Sequence, residues 1–442
     1  MRNVIFLFGI SILFVSCAAN KGENPGHTVI TKWQGDKRSA ISITYDDGSI
    51  NQFKVAIPIM NKLGMPGTFF INTTKVKGSA KGKFIGRAQE IIIKETASIK
   101  TNEDNFFERA SLIRFTGIDK GVDYHTRAGS LFESGKLKEA YALMDSAFTQ
   151  VRSKSLKNKV IPDYAEEPTT WEDFKTYTAE GHEIASHTIT HPKLAVLDEV
   201  NMLYELEQCK ADIEKFLGKK YAFSCECPYG TENERVMEYA LKIYPALRSR
   251  MPVPYLDELN RASKKQPGES KNEYIQWQRG PVRKISMAEM KSYVDTCIVH
   301  NNIWLVLVIH GIDGIGWEPR TGAEIQEYFS YIKEMDPYVW VATFGDVARY
   351  MRERKNSTVT GIVEGDAIKV NISSTLDPEM YDVPVTLKTY VPGAWKTVVL
   401  SKKTDKEKQS GLQIQKDEMG SYVLYLVKPG EGEITLTKQT SM

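Results

Sequence analysis

The stretch ISITYDDG, Ile41 to Gly48, decides how this chain is read. Its apolar residues make a short run suited to a buried strand, and two adjacent carboxylates, Asp46 and Asp47, close it just before a glycine. Neighbouring side chains at an extended strand end point in different directions, so one carboxylate can ligate a metal while the other accepts a proton. A distant stretch, SHTITHP from Ser186 to Pro192, supplies His187 and His191 four residues apart. Two neutral imidazoles and a carboxylate form a donor set with positions left open for water, the layout of a hydrolytic metal centre.

Outward from this core the chain alternates. Helical spacing over Ile50 to Leu63 stops at Gly64-Met65-Pro66-Gly67, and a strand is expected at Thr68 to Asn72. The rhythm resumes with a helix over Thr170 to Glu180, a strand at His182 to Ala185, a long helix over Leu197 to Leu217, a strand at Tyr221 to Cys225 and a helix over Glu232 to Tyr244. Further strands are expected near Ala246 to Arg248, Ile275 to Gln278, Trp304 to Ile309 and Val339 to Thr343. The continuous apolar run at Trp304 to Ile309 is of the kind buried on both faces of a parallel sheet, and it delivers His310, whose pKa near neutrality suits a general acid. Repeated strand and helix units with polar residues at the strand ends favour a barrel-like α/β domain over an open sheet.

Between these units, residues 75–168 show helical spacing and few strand signals, so a mostly helical insertion beside the cleft is expected. Arg114, Asp123, Tyr124, His125 and Arg127 are its candidate cleft residues, each more often plain surface. After about residue 356, short strands separated by Gly, Pro, Asp and Lys turns read as a small β-sandwich. The expected divisions are 1–26 for a signal and linker, 27–355 for the catalytic domain and 356–442 for the sandwich.

The chain has 58 Lys and Arg against 56 Asp and Glu, and the formal charge of +2 offers no electrostatic argument for nucleic acid or an anionic membrane. Any polymer it binds must be recognised by shape and hydrogen bonds. At the N-terminus, Arg2 precedes an apolar run from Val4 to Val15, too short to span a bilayer and ordered like an export signal. FVSC at its end resembles a bacterial lipoprotein signal, which makes Cys17 the expected lipidation site and the cell envelope, periplasm or cell surface, the expected location. The only membrane contact expected is this anchor. The remaining Cys209, Cys225, Cys227 and Cys297 do not make a disulfide scaffold, and the Cys225/Cys227 pair reads as buried thiols rather than a metal pair.

Taken in order, TYDDG, HTITHP, CPYG and the strand ending in IH resemble the motifs of the polysaccharide deacetylases, the NodB-like or family four carbohydrate esterases. The resemblance covers roughly Thr31 to Met351 and implies an α/β fold: a distorted (β/α) barrel that removes acetyl groups from an acetylated glycan or oligosaccharide with a divalent metal, usually Zn2+. It further implies Asp47, His187 and His191 as ligands, Asp46 as the base acting on water, His310 as the acid and the Tyr229 N–H as an oxyanion donor. Removal of acetyl from nitrogen is favoured over removal from oxygen. One departure stands out. The family commonly places an arginine two residues before the proline of its PYG-like motif to orient the base, and here that position holds Glu226. A second carboxylate beside Asp46 would repel it unless a cation intervened, and Arg248, Arg250 and Arg279, all near strand ends, are the candidates. Trp317, in HGIDGIGW, is a candidate wall for the acetyl pocket or a sugar platform. The rival expectation is a carbohydrate-binding lipoprotein on a degenerate esterase scaffold.

Overall fold

A computed structural model of the chain describes residues 24–118, 120–153, 169–280, 283–403 and 408–439. Cys17 and the rest of the expected signal lie outside them.

The central sheet is parallel. Its strands are Ala246–Leu247, Ser224–Cys225, Glu183–Ser186, Thr68–Ile71, Ser39–Tyr45, Ile303–Ile309, Tyr274–Arg279 and Leu256–Leu259, in that spatial order, with Val339–Val341 pairing the first half of Ser39–Tyr45. The sheet curves into a barrel whose two end strands do not pair with each other. Ser39–Tyr45 and Ile303–Ile309 are buried along their whole lengths and pair from Ala40 with Trp304 to Tyr45 with Ile309. Alternation within each strand divides the core. Ile41, Ile43 and Tyr45 face the outer helices, while Ala40 packs with Phe70, Ala185, Trp304 and Val306 inside the barrel. The Tyr221 to Cys225 expectation was too long, because Lys219–Tyr221 forms a tight 3-10 turn and only Ser224–Cys225 is strand.

Within 75–168 the described residues form the helices Gln89–Glu95, Phe106–Ile113, Gly121–Glu133 and Leu137–Arg152 around their own apolar core of Phe106, Leu112, Ile113, Met144 and Phe148. No helix among the described residues is long and apolar enough to cross a membrane.

The C-terminal part is a two-sheet sandwich. One sheet orders Ser357–Glu364, Ala367–Ser374, Gly432–Lys438, Thr397–Lys402 and Lys408–Gln413; the other orders Thr28–Ile30, Val385–Tyr390, Gly420–Val427 and Gln415–Asp417. The second sheet corrects the boundary drawn at residue 27. Thr28–Ile30 is a sandwich strand, antiparallel to Val385–Tyr390, because Ile30 joins the apolar core of Val385, Leu387 and Val423. The sequence pattern missed it because three residues are too few to show alternation.

Glu353 joins the two parts. It lies fully buried on the helix Phe344–Asn356 and accepts the Val383 N–H at 2.9 Å from the segment entering the sandwich. Burial pushes its carboxyl up to about 8, against the Val383 N–H and Arg349, which favour the charge. With the folded pKa raised, its contribution to stability is complete below about pH 4.5 and is lost as pH rises toward 8, at up to about 1.4 kcal/mol per pH unit. Glu353→Gln is therefore expected to remove much of the loss of stability between pH 5 and pH 8. Denaturant midpoints at the two pH values check this, and an equal drop in both proteins would contradict it.

Candidate active site

The site occupies the C-terminal rim of the sheet, and the strand register builds it. Tyr45 pairs with Ile309, Ile71 with Ser186, Ser186 with Cys225, and Cys225 with Leu247. One residue further on in each strand lie Asp46, His310, Asn72, His187, Glu226 and Arg248. Six polar side chains from six strands therefore line one rim over the barrel interior, stepped by two residues between Asp46 and Asn72 because Tyr45 pairs with Phe69.

Asp46 is almost fully buried and meets Arg248 as a two-pronged pair, with Nη1 to Oδ1 and Nη2 to Oδ2 both at 2.6 Å. Arg248 also donates to Thr44 Oγ1 at 2.8 Å and lies 3.2 Å from Glu226 Oε1. Burial opposes the charge on Asp46, but Arg248, His310 and His187 outweigh it and hold the carboxyl well below the usual carboxylate range. Glu226 thus faces inward with a cation between it and Asp46. Arg250 pairs instead with Glu234 at 2.6 Å. Arg279 is not part of the site: its guanidinium stacks on Trp277, 4.6 Å from the ring centroid, because residues 275, 277 and 279 share the outward face of their strand.

Asp47, His187 and His191 converge, with donor atoms within 4.8 Å of one another. Asp47 Oδ1 lies 3.6 Å from His187 Nε2 and 3.2 Å from His191 Nε2. Tetrahedral ligands about 2.1 Å from a common ion stand about 3.4 Å apart, so the set fits a small divalent cation. His187 Nδ1 lies 2.7 Å from the Glu226 carbonyl, which assigns the ring proton there and leaves Nε2 free to ligate. Burial, reinforced by His187, lowers the pKa of His191 well below its ordinary value and keeps it in the neutral form that ligation needs.

His310 Nε2 sits 3.4 Å from Asp46 Oδ2. Burial lowers its pKa, with Asp46 and Asp47 pulling the other way. Its ring meets Trp317 edge to face at 4.8 Å, and Trp317 is 52 % exposed, a wall open to solvent beside the histidine. Tyr229 is also exposed, with its ring 4.6 Å from His191.

Four residues of this site, Asp47, Thr188, His191 and Tyr229, hold positive φ values between 58° and 74°. Such conformations cost of order 1 kcal/mol each and persist only where surroundings impose them. Those surroundings are residues that the motifs did not reveal. The Gln52 side-chain amide donates to the carbonyls of both Asp46 and His310 from a wide π-type turn, Gln52–Ala56. Lys75 Nζ donates to the Asp47 carbonyl at 2.9 Å. Buried Glu205 accepts the Thr190 N–H at 2.8 Å and its hydroxyl, clamping the loop between the two histidines. Asn72 donates to the His187 carbonyl at 2.6 Å.

The insertion braces two of these loops. His125 is fully buried, with Nδ1 2.8 Å from the Ala110 carbonyl and Nε2 accepting the Lys193 N–H at 2.9 Å. Glu133 pairs with Lys193 and accepts Thr231 Oγ1 at 3.2 Å, and Lys193 Nζ lies 5.1 Å from the Tyr229 ring centroid. Arg114 donates to the Thr190 carbonyl. His125 and Arg114 are therefore framework rather than free cleft surface, while Asp123 and Arg127 form an exposed i, i+4 pair. All four described cysteines are free and buried.

Residues 34–98 and 119–244 match the family model described as polysaccharide deacetylase. A gellan lyase from a Bacillus species is 26 % identical over 267 residues, a segment covering 54 % of this chain and 10 % of the relative; the chain thus spans about a tenth of that protein's length. Among solved structures, similarity extends to a putative polysaccharide deacetylase from Mycobacterium smegmatis, at 13 % identity and TM-score 0.36 over 76 % of this chain and 96 % of the other. A peptidoglycan deacetylase from Bacillus subtilis gives 13 %, 0.31, 74 % and 96 %. A family 4 carbohydrate esterase from Bacillus anthracis gives 12 %, 0.31, 75 % and 88 %.

Proposed function

We propose that the chain is a polysaccharide deacetylase, a carbohydrate-acting hydrolase, and that it removes acetyl groups from a glycan with a bound divalent ion, zinc being the first candidate; the family match over residues 34–98 and 119–244 supports this reading. The observation that carries this reading is the convergence of Asp47, His187 and His191 beside the Asp46–His310 pair. An ion held by those three residues would supply Lewis-acid polarisation of the acyl oxygen. Asp46, kept ionised by Arg248, accepts the proton of the attacking water. His310 hands a proton to the departing atom. The Tyr229 N–H donates to the developing oxyanion, a role whose loss costs about 3 to 4 kcal/mol of barrier. An amine leaves only once protonated, so the acid at His310 supports nitrogen-bound acetyl as the preferred substrate over oxygen-bound acetyl.

The rival, a glycan binder on an inactive scaffold, rests on Glu226 and on a fourth family motif that the sequence does not place; the Arg248 fork on Asp46 weighs against the first of these. Metal content and acetate release from a panel of acetylated glycans separate the two. Chelation is expected to abolish release and added zinc to restore it, whereas tight glycan binding with no release from any substrate would favour the binder. We further place the protein in the cell envelope, tethered at Cys17, on the order of charge and apolar residues before it. Mass spectrometry of the N-terminal peptide from the membrane fraction tests that: an unmodified Cys17 overturns it.

A further inference from the structure

Glu226 touches both halves of the site at once. Its carboxylate lies 3.2 Å from Arg248 Nη2, and both of its oxygens lie within 2.8 Å of the Ser249 hydroxyl. Its main chain donates to the Ser186 carbonyl at 3.0 Å and its carbonyl faces His187 Nδ1. The side chain is 3 % exposed, so its charge is shielded by neighbours rather than by water. Within the buried cluster, Asp46 and Glu226 carry two formal negative charges against the one positive charge of Arg248, and Asp47 beside them has the Lys75 ammonium at its carbonyl. The surplus negative charge of the buried cluster favours a cation next to it. Glutamine at 226 would remove that surplus.

We propose that Glu226 is a positioning residue whose carboxylate tunes the Asp47–His187–His191 site for a divalent cation, by balancing the buried charge and by holding Arg248 against Asp46. This rests on the reading of that triad as a metal site. The geometry separates the two contributions of the residue. The carbonyl that orients His187 belongs to the main chain and survives any substitution, so the carboxylate can be altered without releasing the ligand ring.

The test is the zinc dissociation constant of the full chain, measured by competition with a chromophoric chelator for wild type, Glu226→Gln, Glu226→Asp and Ser249→Ala. Glu226→Gln, nearly the same shape without the charge, is expected to bind zinc about tenfold more weakly, the low end of what lost outer contacts cost a metal site. Glu226→Asp, which keeps the charge, is expected to stay within about threefold of wild type. Ser249→Ala frees the carboxylate to turn from Arg248 and is expected to weaken binding by a smaller factor; it stands in should Glu226→Gln fail to fold. Gln and wild type binding alike, or Asp binding as weakly as Gln, would overturn the proposal. If wild type itself binds no divalent ion, the metal-site reading falls and this proposal with it.

Discussion

Asp46→Asn is expected to lower acetate release by about a thousandfold, within the range that a positioned general base contributes. The amide cannot take the proton from water, and its NH2 faces a guanidinium that is itself all donors. The fold is expected to survive. Thr44 Oγ1 and Glu226 Oε1 still meet Arg248, and Asp47, His187 and His191 are untouched, so zinc is expected to occupy the site at saturating metal, with an affinity lowered as in Glu226→Gln because one buried carboxylate charge is lost. Initial rates on an acetylated oligosaccharide, with metal content measured on the same samples, check this. A rate within tenfold of wild type would mean that another group accepts the proton.

Arg248→Met is expected to destabilise the protein by about 3 to 5 kcal/mol, the scale on which removing one partner of a buried ion pair is felt. The substitution leaves the Asp46 and Glu226 carboxylates facing one another, both nearly excluded from water. Arg248→Lys keeps a charge but cannot offer the two-pronged fork, so it should lie between Met and wild type. Equilibrium denaturation gives the order. If Met were as stable as wild type, the buried pair would be contributing nothing net and packing alone would hold this corner of the barrel.

Much of this site was legible because its residues lie in short motifs at strand ends. Asp46, Asp47, His187 and His310 each follow a segment that reads as a buried strand, and His191 stands four residues past His187. The choice of arginine could not be made that way. Arg248, Arg250 and Arg279 all lie near strand ends, and only pairing register distinguishes them: Cys225 opposite Leu247 sets Glu226 beside Arg248, while Arg279 falls on the outer face. Gln52, Glu205 and the Lys193–Glu133 pair were invisible for a related reason. Their partners are main-chain atoms or distant side chains, and neither leaves a spacing in the sequence. The two-sheet sandwich was plain from its turns and alternation, yet its first strand was not, since three residues show no alternation and its partner lies 361 residues away.

That strand carries a consequence for how the chain matures. Thr28–Ile30 is synthesised well before its partner Val385–Tyr390, with the whole barrel between them. Bringing such remote ends together is slow unless the intervening chain is already compact. The barrel therefore shortens the search for its own accessory domain, and synthesis that halts anywhere before residue 385 leaves an apolar strand edge without its mate, the kind of edge that recruits other chains.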